Sequence, residues 1–218
     1  MSPPRALAVV ALATLVAAMG GASAQERGFS EEERVALDAG EIVVRARSAT
    51  EGQLTLFGGT SFQAIDRTAD EVWRAVHDIT RFHEMLPETR STTPVGELNG
   101  ARLVRFEHAY GPIHAQYHLA MRWNEREREM RFALDDTHPN DLRRAHGFLD
   151  VRSYPHDRSR ALVTWGILAD MGGDGLVSSI FRPTVHDWML RVPTTMRSFL
   201  MGRGRELYRA EDEAPLAE

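Results

Sequence analysis

The spacing of apolar and polar residues changes period along this chain, and each change marks an element. Phe62 and Ala64 alternate with polar Ser61 and Gln63, the period of two of a half-buried strand. Thr68 followed three residues later by Glu71 is a capping box that starts a helix. Val72, Val76 and Ile79 fall on one face of that helix, with Trp73 beside them. Asp78 and Thr80 break and restart it. Phe82, Met85 and Leu86 then give a second, short helix an apolar side, and Pro87 stops it.

From Arg90 onward the period is that of strand after strand. Leu103 to Tyr110 and Ile113 to Trp123 flank Gly111-Pro112. A turn at those two residues sets Tyr110 against Ile113, His108 against Ala115, Phe106 against Tyr117 and Val104 against Leu119. Val104, Phe106, His108, Tyr110, Ile113, Ala115, Tyr117, Leu119 and Met121 then share an inner face. Arg105, Glu107, His114, Gln116, His118 and Arg122 share the outer one. A slip of one residue would swap the faces, so the separation fixes the register. Glu129 to Asp135 continues the sheet with Met130, Phe132 and Leu134 inward, and Thr137 to Arg144 is a polar loop. Gly147 to Ser153 and Arg160 to Asp170 form another hairpin, with Leu149, Val151, Val163, Trp165 and Ile167 inward. Gly172 to Gly175 breaks the sheet.

A helical region runs from about Leu176 to Tyr208, and Pro183 and Pro193 divide or kink it. Val185, Met189, Val192, Met196 and Phe199 form its apolar stripe. Upstream, Ser30 with Glu33 is another capping box and Gly40 closes that helix. Glu41 to Ser48 and Leu54 to Phe57 are strands about a turn at Glu51-Gly52, and Gly58-Gly59 allows a bend.

The succession Ala-Asp-Glu-Val-Trp at 69–73 and Asp-Ile-Thr-Arg-Phe-His-Glu-Met-Leu-Pro-Glu at 78–88 resembles the SRPBCC superfamily, which includes START-type lipid-binding domains, coenzyme-Q-binding proteins and polyketide cyclases. The resemblance extends to about Tyr208. It implies an α+β helix-grip fold: a curved antiparallel sheet around a long C-terminal helix, with two short helices at one end. It also implies a hydrophobic molecule held between sheet and helix. Periodicity alone does not separate a ligand cavity from a filled core, since both need apolar residues pointing inward. If a cavity exists, its expected ligand-binding residues are Phe106, His108, Tyr117, Leu119 and Met121 of the first hairpin, Phe132, Leu149, Trp165 and Ile167 of the later strands, and Met189 and Met196 of the terminal helix.

Composition adds compartment and exclusions. Arg5, the apolar run Ala6 to Met19 and Ala22-Ser23-Ala24 read as a signal peptide cut after Ala24, for secretion or a periplasmic location. The expected organisation is residues 1–24 signal, 25–59 a helix-and-strand extension, 60–210 the helix-grip domain and 211–218 an acidic tail. No later segment reads as a membrane span. The chain has no Cys, which excludes disulfides, thiolate metal sites and a lipidated cysteine anchor. All 26 basic residues are Arg, which excludes lysine Schiff-base chemistry. Net charge is −5, and −6 once Arg5 is removed with a segment that holds no acid. No basic stripe interleaves with aromatics, so nucleic acid is not an expected partner.

Candidate chemistry is sparse. His108 is the one inward His, able to orient a ligand oxygen, to act as acid or base, or simply to be satisfied by Tyr110 or Tyr117. His114 and His118 lie about 13 Å apart at strand rise, too far to share a metal ion. His83, Glu84, Arg81 and Arg90 near one end of the fold suit either solvation or an acidic head group. Ser178, Ser179 and Asp174 lack a nucleophile elbow, and Gly172 to Gly175 lacks a phosphate-loop continuation. No cofactor and no metal are expected. The leading expectation is an exported binding or transfer protein for a hydrophobic small molecule (lipid, isoprenoid or quinone-like), with transient membrane contact. The alternatives are a cyclase or dehydratase on a polyketide-like substrate, and a structural or partner-binding domain with a filled core.

Overall fold

The computed structural model describes residues 28–172 and 176–209. The expected signal segment 1–24 and acidic tail 211–218 lie outside those residues. The chain divides at Val35/Ala36. In the first unit the Ser30–Glu33 capping box forms: Glu33 N–H donates to Ser30 Oγ at 3.2 Å, and Ser30 N–H to Glu33 Oε2 at 2.8 Å. It starts helix α1 (Glu31–Asp38), whose Leu37, in the second unit, is buried.

The second unit is one eight-stranded antiparallel sheet with helices against it. Its elements are β1 (Val43–Glu51), β2 (Leu54–Ile65), α2 (Ala69–His77), a 3-10 turn (Ile79–Arg81), α3 (Phe82–Met85), β3 (Thr89–Leu98), β4 (Ala101–Tyr110), β5 (Ile113–Asn124), β6 (Glu129–Leu134), β7 (Arg144–Tyr154), β8 (Asp157–Asp170), α4 (Leu176–Leu190) and α5 (Val192–Met201). The strand order is β1-β2-β8-β7-β6-β5-β4-β3. The β4–β5 register pairs Tyr110 with Ile113, His108 with Ala115, Phe106 with Tyr117 and Val104 with Leu119, as the hairpin pattern requires.

The α2 capping box is present in both directions, with Thr68 N–H donating to Glu71 Oε2 at 2.9 Å and Glu71 N–H to Thr68 Oγ1 at 3.3 Å. Asp78 ends α2. Two indoles tie that helix to the sheet: Trp123 donates to the Val76 carbonyl at 3.1 Å, and Trp73 to Glu125 at 2.8 Å.

β2 departs from the half-buried reading. Ser61 pairs with Trp165 and Gln63 with Val163, so the polar residues share the inner face, and Phe62 and Ala64 point the other way. Both faces are buried. Gln63 is satisfied inward: its amide donates to the Gly40 carbonyl at 2.9 Å and its oxygen accepts from Thr194 of α5 at 2.9 Å. A period of two cannot say which face meets the helix when both are covered. β2 also runs unbroken across the expected 59/60 boundary, through Gly58 and Gly59 (φ 153° and 152°). A Cβ on Gly58 would lie 2.0 Å from the Ile167 carbonyl oxygen, and one on Gly59 2.3 Å from that of Arg45, so both neighbouring strands close in on these two residues.

The C-terminal helical region is two helices. The break falls at Arg191, with Pro193 in the first turn of α5, where a missing N–H costs nothing, while Pro183 stays inside α4. α5 stops at Met201 rather than continuing to Tyr208. Gly202 forms its C-cap, and a Cβ on Gly204 would lie 2.6 Å from the Phe199 ring. Tyr208 is still buried, with its hydroxyl donating to Asp78 at 2.8 Å and its ring edge-on to Phe199.

Candidate ligand cavity

The inner side chains of β4 to β8 do not fill the space between sheet and helices. They surround a cavity of about 140 Å³, roughly ten times the space one buried water needs. All eleven expected residues line it. Phe106 and His108 come from β4, and Tyr117, Leu119 and Met121 from β5. Phe132 comes from β6, Leu149 from β7, Trp165 and Ile167 from β8, Met189 from α4 and Met196 from α5.

Other lining residues were not assigned to it from the pattern. Val76, Phe82, Met85 and Leu86 close the α2–α3 end; their apolar stripe was legible, but not which space it faced. Leu142 stands in a polar loop and Met171 just past β8, where no periodicity signals burial. Trp188 belongs to the same helical stripe as Val185 and Met189. Tyr110, expected inward, is 53% exposed: it sits at the hairpin tip, edge-to-face with Trp188 at 5.1 Å, and marks the rim.

Local sequence sets the wall. Gly147 leaves room on β7 for the Phe132 ring, since a Cβ there would lie 2.5 Å from it. Phe132 stacks on Trp165 with centroids 5.0 Å apart. The Trp165 indole donates to the Met189 carbonyl at 2.7 Å, fixing the end of α4 over the cavity.

Among the described residues no charged side chain lines the cavity. Its principal polar feature is a pair: His108 Nε2 lies 2.7 Å from Tyr117 Oη, and His108 Nδ1 lies 3.3 Å from Thr89 Oγ1. Phe106 and His108 both stack on Tyr117, at 5.5 and 5.4 Å. Burial pushes His108 down to about 4, against the opposing pull of the Pro87 and Glu88 carbonyls. Burial raises the Tyr117 hydroxyl above the usual phenol range. Both groups are therefore neutral at pH 7.

The outer face corrects one reading. His118 is buried, because β6 ends at Leu134 and leaves the backbone of β5 without a strand partner there. The 135–141 loop supplies the missing bonds: Gln116 N–H donates to Asp141 Oδ2 and His118 N–H to Asn140 Oδ1, both at 2.7 Å. His138 stacks on the His118 ring at 4.6 Å. Among the described residues no group of three or more His, Asp or Glu is placed to hold a metal ion. No described helix is long and apolar enough to cross a membrane. His83 bonds the Thr80 carbonyl, and Arg81 pairs with Glu84 at 2.9 Å. Asp174 and the side chains of Ser178 and Ser179 lie outside the described residues.

No protein-family model and no curated protein sequence matches the chain. Its fold does match solved structures. The STAR-related lipid transfer protein from Xanthomonas axonopodis is 19% identical with a TM-score of 0.54, over 73% of this chain and 93% of that one. The Zhui aromatase/cyclase from Streptomyces sp. R1128 is 12% identical with a TM-score of 0.56, over 76% and 98%. A START superfamily protein from Mycobacterium smegmatis is 13% identical with a TM-score of 0.52, over 68% and 97%. At these identities the likeness is one of fold, and the eight-stranded antiparallel sheet with its C-terminal helices is the START-type helix-grip fold.

Proposed function

We propose that this is an exported protein that binds, and carries between surfaces, a hydrophobic small molecule of lipid, isoprenoid or quinone-like type. The observation that carries the reading is the cavity itself: about 140 Å³ of space whose described lining holds no charge and one neutral polar pair. Each 100 Å² of apolar ligand surface moved into such a site contributes about 2.5 kcal/mol. Met121, Met130, Met189 and Met196 give the wall an adaptable surface. The lipid transfer protein among the structural neighbours supports the same class. Export rests on residues 1–24, and the helix-grip unit would then be the functional part of the mature chain.

The aromatase/cyclase neighbour and the inward His108–Tyr117 pair favour a second reading, an enzyme acting on a polyketide-like substrate. A general acid–base catalyst works best with a pKa near the working pH. His108 at about 4 and a raised Tyr117 are both far from it, which supports binding over turnover.

The test is native mass spectrometry of the chain from Gln25, recovered from the export compartment of a bacterial host. A stoichiometric apolar adduct supports the carrier. A protein that stays ligand-free after incubation with a host lipid extract contradicts it.

A further inference from the structure

The hydrogen-bond directions around His108 fix which polar ligands the cavity accepts. The Thr89 hydroxyl donates to the Pro87 carbonyl at 3.2 Å. Its oxygen then meets His108 Nδ1, 3.3 Å away, as an acceptor, and of the two neutral tautomers only the one protonated at Nδ1 makes the Thr89–Pro87, His108–Thr89 and Tyr117–His108 contacts hydrogen bonds all at once. Nδ1 therefore carries the ring hydrogen. In a neutral imidazole the other nitrogen then holds a lone pair. The Tyr117 hydroxyl, 2.7 Å from Nε2, must donate to it.

That leaves the oxygen of Tyr117, a residue that lines the cavity, with its hydrogen engaged and a lone pair free to accept. Trp165 offers no donor, since its indole N–H is held by the Met189 carbonyl. Trp188 lies at the rim against Tyr110. The polar pair of the site thus presents an acceptor, and among the described lining residues no side chain is charged.

We propose that the cavity selects neutral ligands carrying a hydroxyl or similar hydrogen-bond donor, which bonds the Tyr117 oxygen. A ketone or ether would set lone pair against lone pair there. A carboxylate would also enter a wall whose described residues hold no cation. The inference rests on the cavity being a binding site for hydrophobic molecules at all, and its test separates the two.

Three probes of one size decide it by titration calorimetry at neutral pH: 2-naphthol, 2-methoxynaphthalene and 2-naphthoate. The expected order is 2-naphthol tightest by about tenfold, the effect of one net hydrogen bond, with 2-naphthoate weakest. In Tyr117→Phe the ratio of naphthol to ether should fall to near one. Equal or reversed affinities in the unmodified protein overturn the donor selection and leave the binding reading standing. If none of the three binds up to its solubility limit, the binding reading falls, and this one with it. The wild-type ratio decides the question even if the variant does not fold.

Discussion

Acid should destabilise this protein through His108 in a defined window. The folded state holds that imidazole at about 4, because burial disfavours its charged form, whereas an unfolded histidine titrates near 6.5. Between those values the unfolded chain takes up a proton that the folded chain refuses. Stability is therefore complete above about 6.5, falls as pH drops toward 4, and falls no further below it. The whole span corresponds to about 3 kcal/mol, of which about 2 kcal/mol is already lost at pH 5. Urea unfolding of wild type and His108→Leu, at pH 7 and pH 5, isolates this contribution. Other groups, including His146, which burial also depresses, cancel in the comparison. The variant loses a constant amount at both pH values, because Tyr117 forfeits its acceptor. The wild type should lose about 2 kcal/mol more than the variant on going from pH 7 to pH 5. Parallel losses in the two proteins would refute the depressed, neutral His108 and with it the hydrogen-bond directions built on it.

Three further outcomes follow from particular contacts. Thr68→Ala removes the α2 capping box and should cost about 1 kcal/mol in urea unfolding, with the fold retained. Gly58→Ala forces a Cβ onto the Ile167 carbonyl at a backbone angle that suits glycine. It should cost more than about 3 kcal/mol, whereas Gly52→Ala, with nothing within 4 Å, should cost about 1 kcal/mol, both read from denaturant midpoints. Ala145→Leu projects three more carbons into the cavity. It should stabilise the empty protein by up to about 2 kcal/mol and weaken binding of an apolar probe at least tenfold, as measured by melting and by titration.

The sheet was legible where one face is apolar, the other polar, and a turn pins the register. Gly111-Pro112 between two alternating runs placed Phe106 opposite Tyr117 and His108 opposite Ala115 correctly. The nine strand residues of the candidate set line one cavity, together with Met189 and Met196 from the helical stripe. Alternation failed where both faces are covered: Ser61 and Gln63 face the helices because Gln63 has polar partners there, and no pattern within β2 reports Gly40 or Thr194. It failed for His118, whose burial depends on a loop that substitutes for a missing strand. The helix ended early because glycines at 202 and 204 outweigh an apolar stripe that would continue. The cavity itself had no signature, since an inward Met or Phe looks the same beside a ligand space as beside another side chain.

The most direct test of the central claim is organic extraction of purified wild type and Ala145→Leu, prepared side by side from the same host, with the bound mass quantified per protein. A cavity that holds the ligand predicts close to one apolar molecule per wild-type chain and little or none on the folded variant. Equal loading of the two proteins would place any bound molecule outside the cavity and contradict the claim.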